Sequence, residues 1–108
     1  CYCYTSVAVR GLLTILLEGK AGEAYNVSNE ATFGTIREMA EMLVRNYPKS
    51  GSELIFDIPE DVAKLGYAPT SRMLINAGKL HSLGWVPEYD LPQMFERLLA
   101  SMRAWEKE

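Results

Sequence analysis

Glu23-Ala24-Tyr25-Asn26-Val27-Ser28 is the stretch on which the fold class turns. It follows Gly19 and Gly22, which end a helical run, and it reads as a buried strand. Working back from it, residues 7–17 are apolar almost all the way round a helical wheel, with Val7, Val9, Leu12, Leu13, Ile15, Leu16 and Leu17. Such a helix needs cover on several sides. A chain of 108 residues has little to cover it with, so part of the helix is expected to face a missing domain or another subunit. Residues 1–4 alternate small and aromatic side chains as a short strand does, and Thr5 or Ser6 suits the cap of the helix that follows.

Working forward, Thr35-Ile36-Arg37-Glu38 has the form of a capping box, in which hydroxyl and carboxylate each satisfy an open backbone donor. Ile36, Met39, Ala40, Leu43 and Tyr47 continue at helical spacing until Pro48 stops the run. After a turn over 49–52, residues 53–58 alternate as a strand does and Pro59 closes them. Residues 59–72, punctuated by Gly66 and Pro69, read as irregular chain with at most one helical turn. Asn76 suits the cap of a short helix reaching Ser82, with Gly84 as its left-handed stop. Asp90 and Gln93 form a second capping pair before Met94, Phe95, Leu98, Leu99, Met102 and Trp105, the stripe of a long last helix. The predicted class is α/β: a small incomplete sheet with flanking helices, in one unit over residues 1–108. Three strands at most leave open edges, which suits a part of a larger sheet better than a finished one.

Composition narrows the function classes. With 48% hydrophobic and 23% charged residues the chain is of globular type, and a net charge of -3 gives no broad positive field for nucleic acid or an anionic membrane. The run from Leu12 to Leu17 is far short of the roughly 20 residues that span a bilayer. Cys1 and Cys3 stand too close to staple a fold, and His81 is the sole histidine, so no metal site and a reducing cytoplasm are expected. A start on Cys without a charged segment before an apolar one reads as a cut or tag-derived end, not a signal peptide.

Gly22-Glu23-Ala24-Tyr25-Asn26-Val27 and Leu83-Gly84-Trp85-Val86-Pro87 resemble segments in the C-terminal third of NAD-dependent nucleotide-sugar epimerases and dehydratases, of the extended short-chain dehydrogenase family. The resemblance extends over nearly the whole chain. It implies the C-terminal substrate-side portion of that fold, with the N-terminal NAD-binding Rossmann portion on sequence that is not here. Tyr4-Thr5-Ser6-Val7 departs from the family's Tyr-Val-x-Asp at Thr5 and Val7. Arg72 matches the arginine of Asp-x-Arg-Tyr-x-x-Asp, whereas Thr70, Met73 and Asn76 replace the other three residues.

On this resemblance Arg72 is the expected contact to the pyrophosphate of a nucleotide-diphosphate sugar, because a guanidinium forks onto phosphate oxygens with two charge-assisted hydrogen bonds. Its plain alternative is a solvated arginine, or one paired with Asp57 or Asp61. Asn26 and Asn29 are substrate-binding candidates because ligands of open α/β sheets lie beyond strand ends, though both also suit turn closure. Lys79 and His81 read as surface residues at a helix, and Trp85 as a packing anchor. The family's catalysis uses a Tyr with a Lys four residues later, beside a nicotinamide held over a Gly-rich turn. Tyr2, Tyr4, Tyr25, Tyr47, Tyr67 and Tyr89 are all without that lysine, and Gly19 and Gly22 precede a strand-like stretch, not a helix. No catalytic residue and no cofactor-binding residue are therefore expected in this chain. The rival expectation is a non-catalytic binding or oligomerisation module, a homo-oligomer that keeps the fold without the chemistry.

Overall fold

The structure is a computed structural model that describes every residue except Ala68, Thr70 and Glu108. Among the described residues four α-helices follow one another: α1 (Thr5–Glu18), α2 (Ile36–Asn46), α3 (Gly78–His81) and α4 (Leu91–Trp105). Single 3-10 turns lie at Glu30–Thr32, Pro48–Ser50 and Val62–Leu65. The chain divides into two compact units, Cys1–Thr35 with Leu74–Glu108, and Ile36–Met73.

The expected sheet is corrected by this architecture, for no residue among those described is in a strand. A strand is held by a ladder of backbone hydrogen bonds, and the stretches read as strands are held in other ways. Residues 23–29 are fastened mainly through side chains. Asn26 Nδ2 donates to Asn76 O at 3.1 Å, Lys79 Nζ to Ala24 O at 2.9 Å and Asn29 Nδ2 to Tyr89 O at 2.7 Å. At the N-terminus the backbone N–H of Tyr2 donates to Thr32 Oγ1 at 2.7 Å, so a hydroxyl takes the place of a neighbouring strand. Residues 53–58 turn Ile55, Phe56 and Ile58 to solvent, and alternation alone could not supply a pairing partner.

In the first unit the core is Val7, Ala77, Leu80 and Trp85, with Cys3, Tyr4, Ile15, Val27, Leu83 and Tyr89 packed on it. The indole is 2% exposed and its Nε1–H donates to the Val7 carbonyl at 3.0 Å, pinning the start of α1 to a residue 78 positions later. Gly11 permits this approach. A Cβ there would lie 3.2 Å from both Trp85 Nε1 and Val27 Cγ1, closer than ordinary van der Waals contact. α1 starts one residue earlier than a Thr5 cap would place it and two earlier than a Ser6 cap would, with Tyr4 as N-cap and no side-chain cap hydrogen bond. Gly84, at φ 95°, supplies the left-handed turn that the sequence led us to expect after α3.

α4 opens on the capping box read from Asp90 and Gln93. The Gln93 N–H donates to Asp90 Oδ1 at 2.9 Å, and the Asp90 N–H donates to Gln93 Oε1 at 3.0 Å. Only the first part of its apolar stripe is covered: Met94 is buried, while Leu98, Met102 and Trp105 are exposed.

The second unit is carried by α2, which begins at Ile36 as the capping-box reading implies and buries Met42. Arg37 pairs with Glu41 at 2.9 Å and lies 4.7 Å from the Phe56 ring centre, holding the irregular chain near the helix. Gly51 and Gly66 each take a left-handed φ of 69° just after a 3-10 turn, where a side chain would be strained.

Candidate functional site

The first unit gathers its polar side chains around the segment from Glu23 to Glu30. Asn29 is 2% exposed; its Nδ2 is used on Tyr89 O, and its Oδ1 has no hydrogen-bond partner among the described residues. Ser28 Oγ, beside it, is likewise buried without one. Such acceptors cost free energy unless something meets them. Asn26, in contrast, is exposed, and Asn76 O occupies one of its donors. Asn76 also accepts from the Gly78 N–H at 2.7 Å through Oδ1, although the N-cap residue of α3 is Ala77.

Glu30 crosses to the same helix. Its Oε1 accepts from the Ala77 N–H at 2.6 Å and lies 3.8 Å from His81 Nε2. The His81 ring stacks on Trp85 with centres 5.5 Å apart, and its Nδ1 sits 2.9 Å from Trp85 O. A carbonyl only accepts, so Nδ1 carries the proton and Nε2 faces the carboxylate. The side chain read as a solvated helix residue is thus built into the packing of the Trp85 corner.

Lys79 is more than a surface charge. Its ammonium pairs with the Glu23 carboxylate, donates to Ala24 O and lies 4.8 Å from the Tyr25 ring centre. The hydrogen bond from Lys79, reinforced by its charge, holds the Glu23 carboxyl below the usual carboxylate range. A carboxyl lowered on folding stabilises the fold above its unfolded value, and that contribution is lost as pH falls through the folded value. Both groups face solvent, so the effect is small. In urea titrations at about pH 7 and about pH 3, Lys79→Met should lose less midpoint on acidification than the parent chain. An identical acid loss in both would show that the pair contributes nothing.

Arg72 belongs to the second unit, where it is exposed and has no ion pair among the described residues. Asp61, one of its candidate partners, pairs instead with Lys64 at 2.7 Å. Thr70, next but one before it, lies outside the described residues, as does Ala68. Three features escaped the sequence reading. Arg97 stands 4.6 Å from the Tyr89 ring centre and 5.7 Å from that of Tyr4, Arg10 bonds to Glu88 and to Val86 O, and Thr32 bridges residues 2 and 29. Each joins residues distant in sequence, so no local spacing announces it. Burial raises the Cys3 thiol above its ordinary value, which makes it a poor nucleophile. Both cysteines are free.

Chemically, the arrangement offers an unpaired guanidinium for an anion in one unit and a braced polar corner in the other. Among the described residues no group of three or more His, Cys, Asp or Glu side chains is placed to hold a metal ion, and no helix is long and apolar enough to cross a membrane.

Against known proteins, the chain is 28% identical over 89 residues to a dTDP-D-glucose 4,6-dehydratase from Homo sapiens. The matched stretch covers 81% of this chain and 25% of that relative, so the likeness is distant and spans about a quarter of the dehydratase. No protein-family model and no solved structure matches the chain.

Proposed function

We propose that this chain is the C-terminal, substrate-side portion of an NAD-dependent nucleotide-sugar epimerase or dehydratase, serving carbohydrate metabolism without catalysing a reaction by itself. The observation that carries the reading is the 28% identity to a sugar-nucleotide dehydratase sustained over 81% of the chain. In support, Arg72 presents an exposed guanidinium with no carboxylate partner among the described residues, the state from which a pyrophosphate is most readily taken. Asn26 and Asn29, in the first unit, remain substrate-binding candidates on the family likeness alone. NAD and the Tyr-Lys pair that moves the proton would belong to sequence beyond this chain, whose own tyrosines are not followed by lysine at that spacing.

The test uses this chain joined to an upstream sequence that carries those groups. Arg72→Ala is expected to raise the dissociation constant for a nucleotide-diphosphate sugar about tenfold or more, since about 1.4 kcal/mol is tenfold. Calorimetric titration giving the same constant for both proteins would refute the pyrophosphate role. The 108-residue chain alone should bind the same ligand weakly or not at all, because a half-site leaves most of the ligand in water.

A second reading, an assembly module without chemistry, is favoured by the outer face of α1. There Leu12, Leu16 and Leu17 are 60%, 77% and 78% exposed.

A further inference from the structure

Two aromatic rings hold the Arg97 side chain in place without giving it an anion. Its guanidinium lies over the Tyr89 ring, 4.6 Å from the centre, and 5.7 Å from the centre of Tyr4. Those rings meet edge to face, 5.5 Å apart at 82°, and so form a corner that fixes where the charge sits. Ring faces attract a cation but supply no oxygen to the five N–H donors of a guanidinium. Among the described residues Arg97 has no ion pair that would use them. Arg10 and Arg37, in contrast, are engaged by Glu88 and Glu41. The same side of α4 carries a hollow of about 370 Å³ lined by Tyr89, Gln93, Glu96, Arg97 and Ala100. Positions 93, 96, 97 and 100 form one stripe of the helix, at i, i+3, i+4 and i+7. Gln93 Oε1 accepts from the Asp90 N–H in the capping box, which leaves the Nε2 donors for another partner.

We propose that this hollow is a carboxylate site, in which Arg97 forks onto the two oxygens and Gln93 Nε2 donates to one of them. The Tyr89 ring and the Ala100 methyl flank the carbon that bears the group. A guanidinium takes carboxylate and phosphate alike with two charge-assisted hydrogen bonds, so the lining has to choose between them. Glu96 makes the choice. It lines the same hollow and, like Arg97, has no ion pair among the described residues, so the charges of the lining side chains cancel. A group with one negative charge meets little repulsion there, whereas a phosphate carrying up to about two meets more. Because Arg97 is exposed, the binding is weak and weakens further with salt. The same chemistry is offered by a small free carboxylate and by an aspartate or glutamate on sequence joined to this chain.

Nuclear magnetic resonance of the 108-residue chain, titrated with sodium acetate at an ionic strength held constant with sodium chloride, tests the proposal. The Arg97 Nε–H resonance and the backbone amides of Gln93, Glu96 and Ala100 are expected to shift along a saturable curve. Arg97→Gln should abolish the amide shifts, and Arg97→Lys, which keeps the charge but loses the fork, should weaken binding about fivefold or more. Inorganic phosphate should bind the parent chain less tightly than acetate, and Glu96→Gln should strengthen phosphate about threefold or more. Arg103→Gln, further along α4, should leave the acetate curve as it was. The same titration of the chain joined to upstream sequence separates the two sources. An Arg97 resonance that acetate still moves assigns the site to a free ligand, whereas one already displaced and indifferent to acetate assigns it to a side chain of the joined sequence. The proposal is overturned by shifts that stay linear up to about 0.2 M acetate in the 108-residue chain, by a curve unaltered in Arg97→Gln or Arg97→Lys, or by phosphate binding more tightly than acetate. Arg72 belongs to the other unit and the resonance read is that of Arg97, so the outcome is separate from that of the pyrophosphate role.

Discussion

Replacing Trp85 with alanine is expected to cost the first unit about 3–5 kcal/mol, the range for truncating a large buried aromatic. The residue concentrates several interactions in one place. Its ring fills the centre of the core beside Val7, Ala77 and Leu80, stacks on His81 and donates a hydrogen bond to the Val7 carbonyl. Loss of the ring leaves a void against α1 that Gly11, which has no side chain, cannot fill. Small domains have only about 5–15 kcal/mol in total, so a large share of the stability goes with it. At slopes of about 1–3 kcal/mol per molar urea the midpoint should fall by about 1 M or more. Trp85→Phe keeps much of the burial and mainly loses the Nε1 hydrogen bond, with an expected cost of about 1–2 kcal/mol. Equal midpoints for Trp85→Ala and the parent chain would show that the core is organised elsewhere.

Gly11→Leu should destabilise by about 1–3 kcal/mol through overpacking, even though it improves the intrinsic helix propensity of α1. Two effects oppose each other at this position. Leaving glycine in a helix interior gains up to about 1 kcal/mol, but even a Cβ arrives 3.2 Å from Trp85 Nε1 and Val27 Cγ1. The remaining three carbons of leucine must then displace the indole or lift α1 from the core. Gly11→Ala is the control, expected to stay within about 1 kcal/mol of the parent because its single methyl asks only a few tenths of an ångström. Thermal or urea unfolding followed by Trp fluorescence measures both variants. A Gly11→Leu chain at least as stable as Gly11→Ala would mean that α1 does not lie against Trp85 as closely as described.

Helix ends were the legible part of this sequence because their signals are local. Asp90 and Gln93 cap α4 reciprocally as their spacing implies, Ile36 opens α2, and Gly84 takes the left-handed turn after α3. Each depends on residues within about one turn of one another, where chain geometry leaves few alternatives. The α/β reading failed for a matching reason. Residues 23–28 and 53–58 have the composition of strands, but a strand exists only where a second backbone lies alongside it. In this chain Asn26, Asn29 and Lys79 reach other backbone groups instead.

The site divides in the same way. Arg72, Asn26 and Asn29 were picked out by residue type and by a family likeness. The structure adds that Asn29 is buried with an unmet oxygen while Arg72 stands exposed. The bond from Glu30 to the Ala77 N–H and the stacking of His81 on Trp85 escaped notice, the first because its partners are 47 residues apart, the second because helical spacing alone does not say which neighbour a ring will cover.

By itself the sequence determined the reciprocal cap of α4, the start of α2 at Ile36 and the left-handed turn at Gly84, that one helix carries apolar residues almost all round, and that the catalytic Tyr-Lys spacing is missing. These follow from short-range sterics, periodicity and the presence or absence of particular residues. Only the tertiary structure decided which face of α1 is used: Trp85, from the far end of the chain, takes the side of Val7 and Gly11 and leaves Val9, Leu12, Leu13 and Leu16 outside. An all-round apolar helix has no preferred face until a distant side chain packs against one of them, and at Gly11 the gap just fits an indole.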